Sequence, residues 1–313
     1  MNADGPKPPL FIVGCGRSGT TIVYELLCDH QNLAWFSNYS DRWPAFPQLE
    51  ALTRLRDIGT IRRSRNRFAP RPVEGYALWD RCGPADARRQ NAALTAADVD
   101  VEHAQRVRAF VAAHVRYHRG RRFINKNTRN SRRVPYLRAI FPDALFLHVI
   151  RDPRAVVASL LAVHWWPDLP LWWSDDRTPR TLAADGSKPE AVAAEHWVRS
   201  VERLLADSRP LPPTRYLEIR YEEFSESPET VLSHVSAFAG LSSSSRLAES
   251  VRRRRVTSQN DKYRSQFEDE ELRIVERIVA PLATRLGYRV EPDNGLGNGH
   301  ADHQEGPRPV TRD

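Results

Sequence analysis

The feature that most restricts the fold is a glycine-containing loop that directly follows a short apolar segment. Residues 10–13 are apolar, and residues 14–21 read Gly-x-x-x-x-Gly-Thr-Thr before apolar residues recur at helical spacing. Strand, glycine loop and helix in this order are typical of phosphate-binding loops, whose backbone N–H groups surround an anion. Loops that bind ATP have lysine where this chain has Thr20. We therefore expect a loop suited to fewer phosphates, with Arg17 as its cation.

Strands and helices alternate along the rest of the chain. Apolar runs predict strands, and apolar residues at helical spacing predict helices. This alternation predicts an α/β, P-loop-like three-layer αβα fold with a central parallel sheet, in one domain with helical and loop insertions. Ligands of such sheets bind beyond the carboxyl ends of the strands. The predicted strands after the first are residues 123–125, 144–150 and 215–221, and the predicted helices include 101–118, 131–141, 190–206, 227–240 and 268–286.

Composition narrows the class of protein. We expect a flexible N-terminus at 1–9, one domain at 10–290 and a disordered tail at 291–313, which is rich in Gly, Pro, Asn and His. The net charge of +8 predicts attraction to anions, but the basic residues are spread out rather than concentrated, which disfavours a nucleic-acid partner. Neither the 3 cysteines nor the 10 histidines have metal-ligand spacing, so no metal is expected. Without an apolar span or a signal sequence, we expect a cytoplasmic protein.

Two motifs resemble a known family. "GRSGTT" at 16–21 resembles the 5′-phosphosulfate loop of the sulfotransferases that use 3′-phosphoadenosine 5′-phosphosulfate (PAPS). "HVIRDPRAVVASLL" at 148–161 resembles the 3′-phosphate motif of that family, with Arg151 after the strand and Ser159 in the helix. Weaker similarities follow in family order: "INKNTRNS" around Lys126, "RYEEF" at 220–224 and "SQNDKYRSQF" at 258–267. The resemblance covers about residues 10–288, and is nearest to the bacterial, tyrosylprotein and carbohydrate branches.

The resemblance implies transfer of a sulfuryl group from PAPS, the co-substrate, to a hydroxyl of a small-molecule, glycoside or lipid-like acceptor, without a metal. Lys126 matches the family lysine that contacts the transferring group, and Arg17 is placed to stabilise the departing 5′-phosphate. Tyr263 is expected to stack on the nucleotide. The residues expected to bind the nucleotide are Arg17, Ser18, Gly19, Thr20, Thr21, Arg151, Ser159, Lys262, Tyr263 and Arg264.

The general base is not given by the resemblance. The tyrosylprotein and carbohydrate branches have a glutamate soon after the first helix, where residues 37–39 here read Ser-Asn-Tyr. The phenol-type branch has a histidine two residues after the matched lysine, and here that residue is Thr128. A base must come within hydrogen-bond reach of the acceptor hydroxyl. We favour Glu74, which Tyr76 and Trp79 would shield from water. The alternatives are His164, Asp41 and Asp80.

The segment "HWWPDLPLWW" at 164–173 has several interpretations. It suits a lid over an aromatic, glycosidic or lipid-like acceptor, but a peripheral membrane contact, a dimer contact or a buried anchor would use the same residues. The oligomeric state is left open.

Two other functions compete with sulfuryl transfer. One is a P-loop kinase or NTPase in which Asp152 holds magnesium, against which Pro153 and Thr20 argue. The other is a nucleotide-binding protein without catalysis.

Overall fold

The fold is built on a five-stranded parallel sheet. The computed structural model describes residues 7–63, 68–83, 93–120 and 122–290, so the predicted tail at 291–313 lies outside the described residues. The strand order is β2-β3-β1-β4-β5, and every neighbouring pair is parallel. The strands are β1 (Lys7–Val13), β2 (Leu33–Ala34), β3 (Arg122–Lys126), β4 (Leu145–Ile150) and β5 (Tyr216–Arg220).

Helices connect these strands and cover both faces of the sheet. They are α1 (Thr20–Leu27), α2 (Asn38–Arg42), α3 (Gly59–Arg63), α4 (Tyr76–Cys82), α5 (Val101–Val115), α6 (Val134–Ile140), α7 (Pro153–Leu161), α8 (Pro179–Ala184), α9 (Pro189–Ser208), α10 (Tyr221–Glu226), α11 (Pro228–Phe238), α12 (Ser245–Arg254) and α13 (Asp269–Arg285). Short 3₁₀ segments include Thr128–Arg132, Trp166–Asp168 and Asp261–Ser265. Among the helices of the described ranges, none combines the length and the apolar character needed to cross a membrane.

The central strands are buried on both faces, as their continuous apolar sequences predict. Because successive strand side chains point to opposite faces, Leu10 and Ile12 of β1 enter one core cluster and Phe11 enters the other. Each such side chain stabilises the fold by about 1.5–3 kcal/mol. The predicted α/β fold with a central parallel sheet is confirmed.

The boundaries of the elements differ from the predictions at a few places. β1 begins at Lys7, which pairs with Arg122 of β3, so residues 7–9 belong to the sheet and not to a flexible N-terminus. The separate helix α10 follows β5 directly, where a longer strand was expected. Asp152 caps the start of α7, because its carboxylate accepts from the Arg154 N–H at 2.9 Å.

The parallel strands bring distant parts of the sequence to one edge of the sheet. At the carboxyl end of β1 the chain enters the glycine loop, and β3 ends at Lys126. At the same edge β4 is followed by Arg151, and β5 by Tyr221. Residues from four separate strands can therefore share one site.

Gly19 has to be glycine for two reasons. Its φ of 87° is in the left-handed region, and an added Cβ would lie 2.4 Å from Cδ2 of the Tyr221 ring. Gly16 in the same loop has no heavy atom within 4 Å of such a Cβ.

We predict that Gly19→Ala lowers the free energy of unfolding by about 1–3 kcal/mol, because it combines backbone strain with a ring clash. The matched control Gly16→Ala should change it by less than about 0.5 kcal/mol. Urea denaturation of both variants measures this difference. Equal effects of the two substitutions would contradict the loop geometry.

Candidate active site

A cavity of about 920 Å³ lies at the carboxyl edge of the sheet. Cavities of this size hold small-molecule ligands in other proteins. Four of the predicted loop residues line the cavity, namely Arg17, Gly19, Thr20 and Thr21. The cations Lys126, Arg151 and Arg254 line it as well. The cavity therefore joins a helix N-terminus to four cationic side chains, which suits an anionic ligand.

Neighbouring side chains fix the glycine loop in one conformation. Ser131 bonds to both backbone groups of Gly14, accepting from its N–H at 2.9 Å and donating to its carbonyl at 2.8 Å. Arg17 has a φ of 71°, which is costly for a residue with a side chain. Its Nε donates to Ser159 Oγ at 2.9 Å. The two predicted phosphate motifs thus meet through Arg17 and Ser159.

Arg151 is held in place by three hydrogen bonds. Its Nε donates to Asn260 Oδ1 at 2.8 Å, one terminal nitrogen donates to the Arg17 carbonyl at 3.0 Å, and the other donates to the Gln259 carbonyl at 2.9 Å. The guanidinium also lies over the Tyr221 ring, 4.4 Å from its centroid. Arg151 is only 7% exposed yet still lines the cavity, so it is a preorganised cation.

Lys126 and Glu74 form an ion pair on the cavity wall. Lys126 Nζ donates to Glu74 Oε1, and the Tyr76 hydroxyl donates to Glu74 Oε2 at 2.7 Å. The Tyr76 hydroxyl also lies 2.8 Å from Thr128 Oγ1. Burial, followed by the charge of Glu74, raises the pKa of Tyr76, so its phenol stays protonated and remains a donor. The backbone carbonyl of Glu74 accepts from Asn125 and Asn127 at 3.2 Å each, so both ends of this residue are fixed.

The four candidate bases do not all reach the cavity. Glu74 and His164 line it. Asp80 instead pairs with Arg129 at 2.5 Å, and Asp41 contributes no atoms to the cavity wall. Burial raises the pKa of Asp41, whose carboxylate bonds to the backbone of Ala77 and Leu78.

Five predicted nucleotide-binding residues do not line the cavity, and one of them is Ser159, the partner of Arg17. Ser18 is 1% exposed, and Lys262 and Arg264 are exposed outside the cavity. Tyr263 is 3% exposed and packs on Ala155 and Ala158 of α7. We therefore correct the expectation that Tyr263 stacks on a nucleotide, because its ring is enclosed by the protein.

Several residues that line the cavity have no role predicted from the sequence. Arg254, which forms an ion pair with Glu25, is the third of four consecutive arginines. Tyr221 lies in the "RYEEF" motif but has no predicted role. Tyr76 enters the sequence argument only as a neighbour of Glu74, and Thr128 only as the residue found where the phenol-type branch has histidine. The sequence signal for Arg254 was its run of arginines, and the signal for Tyr221 was its position at the end of a predicted strand.

The tryptophan-rich segment is both an anchor and a wall. Trp166 is 2% exposed, and its ring centroid lies 5.0 Å from that of His196. Trp165 is 41% exposed and lines the cavity together with Leu169 and Pro170. The Trp173 indole N–H donates to His196 Nδ1 at 3.2 Å. His196 thus fixes the segment whose other residues form an apolar side of the cavity.

The fold and the site define a P-loop-like α/β protein with a cavity that suits an anionic ligand. A glycine loop after the first strand and a fixed arginine after a neighbouring strand are its two cationic parts. The model of the sulfotransferase family matches residues 8–245. The chain belongs to the sulfotransferase family.

Individual relatives are more distant. The chain is 27% identical over 255 residues to the omega-hydroxy-beta-dihydromenaquinone-9 sulfotransferase Stf3 of Mycobacterium bovis, which covers 75% of this chain. It spans 63% of the length of that relative. Sulfotransferase STF9 from Mycobacterium avium has a similar fold, with a TM-score of 0.59, 17% identity, and coverage of 91% of this chain and 78% of that one. The sulfotransferase domain from the curacin biosynthetic pathway also has a similar fold, with a TM-score of 0.51 and 16% identity. The match covers 92% of this chain and 100% of that domain.

We predict that His196 makes stability depend on pH. Burial, followed by the charge of Arg132, lowers the pKa of His196 from 6.5 to about 3. The unfolded chain therefore takes up a proton below pH 6.5 that the folded chain does not, and stability falls as the pH falls. Between pH 6 and pH 5 the His196→Asn variant, which keeps an acceptor for Trp173, should lose about 1 kcal/mol less than wild type. Urea denaturation at both pH values measures this, and parallel losses would contradict it.

Proposed function

We propose that the chain transfers the sulfuryl group of PAPS to a hydroxyl of a small-molecule or lipid-like acceptor. The observation that carries the proposal is the meeting of three parts in one cavity. These are the glycine loop with Arg17, the fixed Arg151, and the Lys126–Glu74 ion pair. Sulfuryl transfer, like phosphoryl transfer, depends mainly on positioning and on stabilising charge on the leaving oxygen. Cationic groups in this arrangement fit a nucleotide with phosphates at both its 5′ and 3′ positions.

The loop residues would hold the 5′-phosphate of the nucleotide. The backbone amides of Gly19 and Thr20 lie at the start of α1, and Arg17 adds a positive charge. These groups would stabilise the negative charge that the 5′-phosphate gains when the bond between its oxygen and sulfur breaks. Arg151 would bind the 3′-phosphate, which distinguishes this nucleotide from ATP.

Glu74 would act as the general base. Its carboxylate would take the proton of the acceptor hydroxyl as the acceptor oxygen forms its bond to sulfur. Tyr76 holds one carboxylate oxygen at 2.7 Å and so limits its rotation. Lys126, paired with the other oxygen, would stabilise the charge that develops on the transferring group.

The acceptor would lie along the apolar side of the cavity. Trp165, Leu169 and Pro170 form this side, which suits an aromatic, glycosidic or lipid-like body that carries the hydroxyl. A relative named for a menaquinone derivative supports a lipid-like acceptor. Trp165, 41% exposed, would also suit contact with a membrane surface. A cytoplasmic location fits the three free cysteines.

The structure argues against the kinase alternative. In a kinase, Asp152 would have to bind magnesium, but its carboxylate caps α7 and pairs with Arg154 at 2.7 Å. It contributes no atoms to the cavity wall. The charge of Asp152 is therefore already used within the protein.

The proposed activity is tested by incubating the chain with sulfur-labelled PAPS and a panel of phenols, glycosides, glycolipids and isoprenoid alcohols. We expect a sulfated product, identified by mass spectrometry, with at least one of the lipid-like acceptors. In a parallel calorimetric titration without magnesium, adenosine 3′,5′-bisphosphate should bind more tightly than ADP. Tighter binding of ADP would contradict the proposal and favour the kinase alternative.

We predict that Glu74→Gln lowers kcat by about 100-fold or more, because the variant cannot accept the proton. The affinity for adenosine 3′,5′-bisphosphate should change little. The matched control Asp80→Asn alters a carboxylate that pairs with Arg129 away from the cavity, and should retain most of the activity. Unchanged turnover of Glu74→Gln would exclude Glu74 as the base and direct attention to His164.

We predict that Arg151→Ala loses about 1.5–3 kcal/mol of affinity for adenosine 3′,5′-bisphosphate, the scale of hydrogen bonds to charged groups. The affinity for adenosine 5′-phosphate should fall much less, because this nucleotide has no 3′-phosphate. Calorimetry with both nucleotides measures the difference. Equal losses for both would refute this role of Arg151.

A further inference from the structure

Glu222 connects three elements next to the site without contributing atoms to the cavity wall. Its Oε1 accepts from the Asp152 N–H at 3.0 Å and from Asn260 Nδ2 at 2.5 Å. Its Oε2 accepts from the Tyr288 hydroxyl at 3.1 Å. The carboxylate thus joins the start of α7, the segment after α12 and the end of the described chain.

Asn260 carries this connection to Arg151. The amide nitrogen of Asn260 donates to Glu222, which leaves its amide oxygen to face the other way and accept from Arg151 Nε at 2.8 Å. The two bonds use the two ends of one side-chain amide, so the orientation of Asn260 is fixed. Glu222 therefore determines which end of Asn260 is presented to Arg151.

The orientation of Arg151 determines which of its donors remain for a ligand. A guanidinium has five N–H donors in a rigid plane. Three of them donate to Asn260, Arg17 and Gln259, which leaves two on the terminal nitrogens. Burial lowers the pKa of Arg151, and the negative charge of Glu222 opposes that shift. Glu222 thus supports both the charge and the angle of the guanidinium.

We infer that Glu222 is a positioning residue that sets the preference of the site for a 3′-phosphate, acting on Arg151 through Asn260. This inference rests on the proposed nucleotide. A guanidinium fixed before binding loses less conformational entropy when it meets a phosphate, and it keeps its angle toward one position. Without Glu222, Asn260 can rotate, and Arg151 loses the partner of its Nε. The preference for the 3′-phosphate should then fall, although no atom that contacts the ligand has been removed.

The test compares Glu222→Ala with Glu222→Gln by calorimetry with adenosine 3′,5′-bisphosphate and adenosine 5′-phosphate. Glu222→Ala should lower the affinity for the bisphosphate about tenfold and the affinity for the monophosphate less than about threefold. Glu222→Gln retains an oxygen for Asp152 and Asn260, so its preference should stay within about threefold of wild type. Equal losses for both nucleotides, or a Gln variant as impaired as the Ala variant, would overturn the inference.

A second variant keeps the test valid if Glu222→Ala does not fold. Asn260→Ala breaks the same connection at a partly exposed position, and should lower the preference for the bisphosphate by about tenfold. The double variant should lose no more than either single one, because both act in one chain of contacts. The control Tyr288→Phe removes only the partner of Oε2 and should leave the preference unchanged.

The outcomes also separate this inference from the proposed function. If wild type does not prefer the bisphosphate, the proposed nucleotide is wrong. If wild type prefers it and Asn260→Ala retains that preference, only the role of Glu222 and Asn260 is wrong.

Discussion

The hydrogen bond from Arg151 to the Arg17 carbonyl is the interaction on which the rest of the site depends. It joins a residue after β4 to a loop after β1, 134 residues apart in the chain. Because Arg17 has a left-handed backbone conformation, the loop needs such support from outside itself. The same bond fixes one edge of the guanidinium that faces the cavity. The geometry of the loop and that of the second cation are therefore set together.

Two glycines of the loop, Gly14 and Gly19, lie so close to neighbouring groups that we expect neither position to accept a side chain. An added Cβ on Gly14 would lie 2.6 Å from the Val149 carbonyl, and one on Gly19 would meet the Tyr221 ring. That ring also lies beneath Arg151. Tyr221 therefore supports both the loop and the arginine. A change in the loop that moves the Tyr221 ring would also move Arg151.

The sequence predicts the parts of the protein that local patterns determine. Apolar runs locate β1, β3 and β4, and the glycine spacing locates the loop, because these features depend on neighbouring residues. The pairing of Lys126 with Glu74 depends instead on how residues 52 apart are brought together by the sheet. Comparison of the carboxylates in the sequence favours Glu74 as the base. No local pattern, however, indicates that Asn125 and Asn127 hold its backbone.

Similarity in motif order does not determine which side chain of a motif reaches the cavity. In the segment at 258–267 the expected aromatic, Tyr263, fills a gap on α7, and Gln259 and Asn260 contact Arg151 instead. In a short irregular segment, a shift of a few residues changes which side chains face inward. No periodicity in the sequence indicates which of these side chains faces inward. The burial of Tyr263 and the network around Glu222 are therefore seen only in the three-dimensional structure.

We infer that two cationic positions, joined through Arg17 and Arg151, are arranged before any ligand binds. A crystal structure with adenosine 3′,5′-bisphosphate tests this most directly. We expect the 5′-phosphate on the amides of the glycine loop and the 3′-phosphate within hydrogen-bond distance of Arg151, with the bond from Arg151 to the Arg17 carbonyl retained. A nucleotide bound elsewhere, or an Arg151 that must leave Arg17 to reach it, would contradict the account.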